Sequence, residues 1–152
     1  MRNLYRYLAM AVAAGVFLQA ASIAWGAFGV MRDVDAGTTV EENFGLTWHS
    51  LSGSMLIPLL ALALLIVGIF ARRISGALRW ASIVFGLVVL QVALAAAAFS
   101  APIVGLLHGT NALLILLSCI KAVMVVPKAQ RARESSDSDV GTAGIEPTTA
   151  GR

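Results

Sequence analysis

Four long apolar runs, separated by short polar stretches, make up most of this sequence. Because a helix needs roughly 20 apolar residues to cross a bilayer core of about 30 Å, each run predicts a transmembrane helix. A helix is the expected form, since lipid offers no partners to open backbone hydrogen-bonding groups. The runs cover residues 8–31, 44–70, 78–99 and 103–126.

Composition restricts the class of protein further. Of the 152 residues, 59% are hydrophobic and 12% are charged, whereas soluble domains carry about a quarter charged residues. An ordinary soluble globule is therefore excluded, and an all-α integral membrane protein is predicted. The single cysteine, Cys119, excludes a disulfide scaffold and is expected to be a small buried core residue.

The positions of the basic residues predict the orientation of the chain, because lysine and arginine favour the cytoplasmic side of short membrane loops. The loop between the first two runs holds one arginine against four carboxylates, so we expect it outside and both termini in the cytoplasm. This topology indicates a multi-pass protein of the cell inner membrane. Most of the remaining basic residues lie near the cytoplasmic ends: Arg2, Arg6, Arg72, Arg73, Arg79, Lys121, Lys128, Arg131 and Arg133.

Short connections between the runs predict an up-down-up-down four-helix bundle, since helices joined by short turns pack as neighbours. Thr39 and Glu42 have the spacing of a capping box, so the second helix is expected to begin near Val40. Residues 1–128 form the predicted transmembrane domain. Residues 129–152 are rich in Ser, Asp, Gly, Thr and Glu and are predicted to be a disordered cytoplasmic tail.

The first run and the net charge each allow a second interpretation. The basic start of the chain is typical of a signal peptide, but the apolar core of such peptides is only about 7 to 15 residues long, so retention is expected. The net charge of +3 follows from topology and attraction to anionic lipid, not from nucleic-acid binding. The expected partners are the lipid bilayer, another membrane protein or a second copy of the chain.

Small and polar residues mark the helix faces expected to lie inside the bundle, because helices associate in lipid through close approach and polar contacts. In the first run, Gly15, Gln19, Ser22 and Gly26 recur on one helical face. Most polar residues within the runs fall in the outer half of the membrane. A bundle of this kind is typical of a site that opens toward the outside.

The only two histidines are expected at one level, His49 roughly 7 Å and His108 roughly 9 Å below the outer boundary. Their helices, the second and fourth, are diagonal partners in the predicted bundle, on the order of 12 to 14 Å apart. One neutral nitrogen from each ring can ligate iron, which predicts b-type haem between them. Five further residues are expected to line this site, the glycines by leaving volume: Gly53, Gly105, Gly109, Gln91 and Asn111.

Other residues near this level would complete a haem pocket. Arg32 or Thr38 in the outer loop is expected near the propionates. The aromatic residues expected at the edge of the macrocycle are Trp25, Phe44, Trp48 and Phe99.

Several alternatives remain open from the residues alone. In a non-catalytic membrane subunit or scaffold, the histidines would hydrogen-bond to Gln91, Asn111 or backbone without a cofactor. A zinc or copper site would join His49 to Glu41 or Glu42 but lacks a third well-spaced ligand. A small transporter fits less well, because the runs hold no carboxylates. No phosphate loop or nucleophile elbow occurs, so no enzymatic activity is predicted.

Three segments carry a resemblance to known membrane proteins. They are Trp48-His49, Val89-Leu-Gln91-Val-Ala-Leu and Leu106-Leu-His108-Gly-Thr-Asn-Ala-Leu-Leu. These segments resemble one four-helix half of haem A synthase, and also an uncharacterised family of small four-span bacterial membrane proteins with the same two histidines. The similarity covers about residues 5–127. It implies that His49 and His108 bind haem, as such histidines do in haem A synthase.

The chain departs from the catalytic half of that family at several positions. Leu46 stands where the family has a glutamate three residues before the second-helix histidine, and Ser50 stands where an arginine often follows it. The cysteine pair of the outer loop is missing. The resemblance therefore implies a bundle that holds or once held haem, and it argues against hydroxylation of a haem methyl group by this chain alone.

Overall fold

The computed structural model describes residues 1–40, 43–71 and 74–143, with side chains as far as Val126. Within these ranges the secondary structure is helical and contains no strand. The helices are α1 (Arg2–Asp35), α2 (Phe44–Leu51), a π-helical turn (Ser52–Leu56), α3 (Ile57–Phe70), α4 (Ala77–Ser100) and α5 (Val104–Ala143).

Four helical segments are long and apolar enough to cross a membrane. α2, the π-helical turn and α3 form one continuous span, Phe44–Phe70. The others are α1, α4 and the apolar part of α5, Val104–Val126. The prediction of four membrane-spanning helices is confirmed in number and position, and the chain is an all-α multi-pass membrane protein.

The second span begins later than the sequence suggested. Its N-cap is Asn43, whose side-chain oxygen accepts hydrogen bonds from the backbone N–H groups of Gly45 (2.9 Å) and Leu46 (3.4 Å). The prediction of a start near Val40 is therefore wrong. Asn43 is favoured as the N-cap because its amide nitrogen also donates to the carbonyl oxygen of Gly26 at 2.9 Å, which links the cap to α1. Glu42 of the predicted capping box lies outside the described residues.

A proline explains the π-helical turn in the middle of the second span. Pro58 is the second residue of α3 and follows the end of the turn by two positions. Proline lacks an N–H group, and its ring clashes with the carbonyl four residues earlier in an α-helix. The wider turn relieves this crowding, and the N–H of Ile57 donates to Ser52, five residues back. His49 is located just before the turn, and π-helical turns are frequent beside functional sites.

The four spans form a ring of neighbours. The first span packs against the second and the fourth, and the third also packs against the second and the fourth. The second and fourth spans are therefore diagonal partners, as the sequence predicted. Along α1, Gly15 lies against Ile57, whereas Gly26 lies against Gly45.

The apolar core occupies one half of this ring, which we call the lower half. It contains the first turns of α1 and α4, where the buried hydroxyl of Tyr5 donates to the carbonyl oxygen of Ala77 at 2.9 Å. Cys119 is buried in the same core, as predicted. Its members are Tyr5, Ala9, Val12, Ile57, Ala61, Leu64, Ala71, Ile74, Ala77, Ala81, Val84, Val88, Ile115, Cys119, Ala122 and Val126.

The upper half, which holds both histidines, is packed less closely. The last buried residue of α4 is Val88, and the first buried residue of α5 is Asn111. Residues 89–100 and 104–110 contain no buried residue, and Phe99 between them is 93% exposed. The third and fourth spans are therefore more exposed in the upper half than in the lower half.

Beyond the membrane-spanning segments, the backbone of α5 is helical to Ala143. Residues 129–143 of the predicted tail belong to this helix, and residues 144–152 lie outside the described residues. The division of the chain at residue 128 stays a prediction.

Candidate functional site

The two histidines meet in the upper half of the bundle. The centroids of the His49 and His108 rings are 6.4 Å apart, and the ring planes are inclined by 64°. Both side chains are half-buried. The two side chains project from diagonal spans, and their rings lie closer together than the axes of those spans.

Each histidine is held by the backbone of a glutamine on the neighbouring span. Nδ1 of His49 lies 3.1 Å from the carbonyl oxygen of Gln19, and Nδ1 of His108 lies 3.2 Å from that of Gln91. A carbonyl oxygen only accepts, so Nδ1 of His108 carries the proton, which leaves a lone pair on its Nε2. Nδ1 of His49 also lies 2.8 Å from the Gln19 side-chain amide.

The Gln19 side chain supports His49 a second time. With its amide oxygen accepting from the N–H of Gly53 (3.0 Å), its amide nitrogen donates to Nδ1 of His49 (2.8 Å) and to the carbonyl oxygen of His49 (3.1 Å). Ser52, in the π-helical turn, also contacts this amide. Gln19 was recognised in the sequence as part of an inward face but not as a site residue. The sequence feature that could have identified Gln19 is a polar amide side chain within an apolar run.

Gln91 and Asn111 form a hydrogen-bonded network around His108. The amide nitrogen of Gln91 lies 3.1 Å from Nε2 of His108, which accepts the hydrogen bond. The amide nitrogen of Asn111 donates to Oε1 of Gln91 (2.7 Å) and to the carbonyl oxygen of Leu87 (2.8 Å). Oδ1 of Asn111 is buried and has no partner in the described part of the chain. The structure thus brings both predicted polar residues to His108.

The three predicted glycines differ in the space beside them. A Cβ atom on Gly53 would lie 3.1 Å from Oε1 of Gln19, so this glycine accommodates an amide and does not leave volume for a large ligand. A Cβ atom on Gly105 or Gly109 would meet nothing within 4 Å. Both of these glycines are exposed, so the space beside them is at the outer surface of α5.

A close helix contact that the sequence did not predict holds α2 against α1. A Cβ atom on Gly45 would lie 2.6 Å from the backbone nitrogen of Gly26 and 2.7 Å from the carbonyl oxygen of Ser22. Only glycine allows the backbones to approach so closely. Gly26 was identified as part of the inward face, but a single glycine at the start of a helix, such as Gly45, gives no such signal.

The expected pocket residues at the membrane surface are only partly brought together. Phe44 lies between Trp25 and Trp48, with ring centroids 5.7 Å and 6.2 Å from its own. Arg32 pairs with the neighbouring Asp33, and Thr38 donates to the Asp33 backbone. Neither is directed to the histidines by a hydrogen bond.

The separation of the two rings is close to that of two imidazoles that ligate one metal ion. A metal ion lies roughly 2 Å from an imidazole nitrogen, so two rings that ligate one ion from opposite sides have centroids about 6 Å apart. The observed centroid separation is 6.4 Å. Nε2 of His108 is directed to the amide of Gln91, so a ligand on His108 has to displace this amide.

A zinc or copper site with carboxylate ligands gains no support from the same geometry. The described ranges contain no group of three or more His, Cys, Asp or Glu side chains that could hold a metal ion. Glu41 and Glu42, the proposed partners of His49, lie outside those ranges.

Comparison with protein-family models, curated proteins and solved structures gave no match to this chain. The geometry of the histidine pair is therefore the main observation that bears on function.

Proposed function

We propose that this chain binds b-type haem between His49 and His108 and acts in electron transfer or haem handling. The observation that carries the proposal is the 6.4 Å separation of the only two histidine rings in the sequence. Two residues 59 positions apart, on diagonal helices, have a ring separation close to that of two imidazoles that ligate one metal ion. Their resemblance to the histidines of one half of haem A synthase supports the same ligand.

The residues of the site would position and tune such a group. His49 and His108 would each supply one nitrogen to hold the iron, and the carbonyl oxygens of Gln19 and Gln91 would orient the two rings. Hydrogen bonds to those carbonyls also make the ligating nitrogens more electron-rich. Bound haem would supply reversible one-electron chemistry at its iron.

We further propose that the bundle is up-down-up-down in the cell inner membrane with both termini cytoplasmic. The order of contacts supports antiparallel packing, since Gly15 lies against Ile57 while the later Gly26 lies against the earlier Gly45. The distribution of lysine and arginine supports the orientation. The histidines would then lie near the outer surface, where an external electron carrier or haem-binding partner has access.

The experiment is an absorption spectrum of the full chain, purified in detergent from haem-replete cells, in the oxidised and the reduced state. We expect the Soret and α bands of low-spin, bis-histidine haem. A variant with both His49→Ala and His108→Ala should lose all haem absorption. Thr110→Ala is the matched control, because Thr110 is exposed and its hydroxyl bonds only within α5. A colourless wild type, or a double variant that keeps the wild-type bands, contradicts the proposal.

A second candidate function is a membrane subunit without a cofactor, which binds another membrane protein or a second copy of itself. The observation that favours it is that Gln91 satisfies both ring nitrogens of His108 without any ligand. In this case the histidines only stabilise the bundle. Protein that purifies with a stoichiometric partner and without visible absorption supports this function and contradicts haem binding.

A further inference from the structure

A groove lies on the surface of the lower half of the bundle, where α1 meets α5. It has a volume of about 350 Å³. The lining residues from α1 are Arg6, Met10 and Ala13, and those from α5 include Cys119, Ile120 and Met124. The α1 residues are four and three positions apart, so they follow one face of the helix. This face is roughly 10 Å long and therefore covers about two-thirds of the hydrocarbon thickness of one leaflet.

The lining of the groove is apolar except at one end. Cys119 is buried and forms the floor, whereas Met10 and Ile120, on the two facing helices, are each 46% exposed and form the rims. Ala13 has only a methyl group and leaves the groove free of a longer side chain at its upper end. Of the lining residues, all within the described part of the chain, only Arg6 is charged. A hydrocarbon chain suits such a surface, because it packs by van der Waals contact alone.

Arg6 places a positive charge at the lower end of the groove. Its side chain is exposed. Among the side chains that the structure describes, the one ion pair is that of Arg32 with Asp33, so Arg6 is paired with none of them. Arg2 lies one turn earlier on the same face of α1. A guanidinium group binds a phosphate through two parallel hydrogen bonds, so the lower end of the groove is suited to a phosphate group.

The charge of Arg6 distinguishes between the possible occupants of the groove. The four apolar runs contain no carboxylate, so the membrane-spanning part of a second copy would bring no negative charge to Arg6. An anionic phospholipid supplies both parts of a matching ligand, an acyl chain for the apolar lining and a phosphate for the arginine. In a zwitterionic lipid, the cation of the headgroup offsets the charge of the phosphate. Basic pockets between transmembrane helices are typical binding sites for anionic headgroups.

We propose that this groove binds one anionic phospholipid, with an acyl chain between α1 and α5 and the headgroup phosphate on Arg6. α1 and α5 carry the first and the last span, and their contact closes the ring of four helices. A lipid that binds across this contact only in the folded state stabilises the bundle. The site lies in the lower half, away from the histidines, and does not depend on haem.

The first test measures lipid binding to the full chain in detergent by native mass spectrometry. The two probes are dioleoylphosphatidylglycerol, which is anionic, and dioleoylphosphatidylcholine, which has the same acyl chains and no net charge. The wild type should bind one phosphatidylglycerol at least about fivefold more tightly than phosphatidylcholine. Arg6→Gln should remove this preference, a loss of about fivefold for one basic residue. Lys121→Gln is the matched control, because Lys121 is exposed on α5 but does not line the groove.

The second test fills the groove and leaves every charge in place. Ala13→Leu puts a larger side chain into the groove, so the tightly bound phosphatidylglycerol should be lost although Arg6 is present. Ala14→Leu makes the same change at an exposed neighbour that does not line the groove, and it should bind lipid as the wild type does. Thermal unfolding gives an independent measurement. Phosphatidylglycerol should raise the unfolding temperature of the wild type and Ala14→Leu, but not that of Arg6→Gln or Ala13→Leu.

Several results would overturn the proposal. Equal binding of the two lipids by the wild type would show that the headgroup charge is not recognised. Equal weakening in Arg6→Gln and Lys121→Gln would show a general attraction between charges instead of a site. Wild-type lipid binding by Ala13→Leu would place the lipid outside the groove. A dimer without bound lipid that dissociates in Ala13→Leu would show that a second copy occupies the groove.

Discussion

Substitution of Gly45 by alanine tests how the contact between α1 and α2 positions His49. The added Cβ atom would lie 2.6 Å from the Gly26 nitrogen and 2.7 Å from the Ser22 carbonyl oxygen, both backbone atoms that cannot rotate away. Ordinary van der Waals contact begins at 3.4 Å, so the two helices have to separate by about 0.8 Å. Separation along this direction moves the backbone that carries His49 away from α1.

The expected consequences concern both stability and the site. Overpacking of a close contact costs about 1 to 3 kcal/mol of the free energy of unfolding. The bond from Nδ1 of His49 to Gln19 would lengthen from 3.1 Å to about 3.9 Å, beyond hydrogen-bonding distance. We therefore expect Gly45→Ala to lower the thermal unfolding temperature and to weaken retention of haem.

The matched control is Gly86→Ala in α4, where an added Cβ atom meets nothing within 4 Å. Alanine is favoured over glycine inside a helix by up to about 1 kcal/mol, so this variant should be as stable as the wild type or more so. The assay is thermal unfolding in detergent, followed by circular dichroism, with haem content measured on the same samples. Equal unfolding temperatures for Gly45→Ala and Gly86→Ala would refute the close contact and the role assigned to it.

Two further substitutions test the hydrogen bonds that fix the helix ends. Asn43→Ala removes the N-cap of α2 and its bond to the Gly26 carbonyl, so the free energy of unfolding should fall by about 0.5 to 2 kcal/mol. Asn43→Asp keeps the cap but not the donor and should recover part of this loss. No recovery would contradict the capping role. Tyr5→Phe removes the hydrogen bond to Ala77 and should lower the free energy of unfolding by about 0.5 to 1.5 kcal/mol, measured by thermal unfolding. The haem content and the absorption spectrum should not change. An altered spectrum would contradict the separation of the lower core from the site.

Much of the fold was predictable because lipid imposes strong constraints on a sequence. Only long apolar helices can span the membrane, so the runs predicted the second, third and fourth spans to within one residue, whereas α1 extends beyond its run at both ends. The diagonal relation of the second and fourth spans followed from short connections. Gln91 and Asn111 could be placed near His108 because polar side chains within a membrane form hydrogen bonds with one another across helices.

The predictions that were wrong concern contacts between segments that are distant in the sequence. Asn43 became the N-cap of α2 because it also bonds to Gly26, and no local pattern distinguishes it from Thr39 with Glu42. Gly53 was expected to leave volume, yet the Gln19 amide fills the space beside it. The hydrogen bonds that orient the histidines go to backbone carbonyls, which every residue has, so the sequence carries no signal for them.

The central claim, that two imidazoles share one haem iron, is tested most directly by electron paramagnetic resonance of the oxidised wild-type protein. The ring planes are inclined by 64°, and inclined axial imidazoles leave two iron d orbitals close in energy. The account predicts a low-spin ferric signal of the strongly anisotropic type, replaced by a high-spin signal in His108→Ala. Wild-type protein from haem-replete cells that shows no haem iron signal, or only a high-spin one, would contradict it.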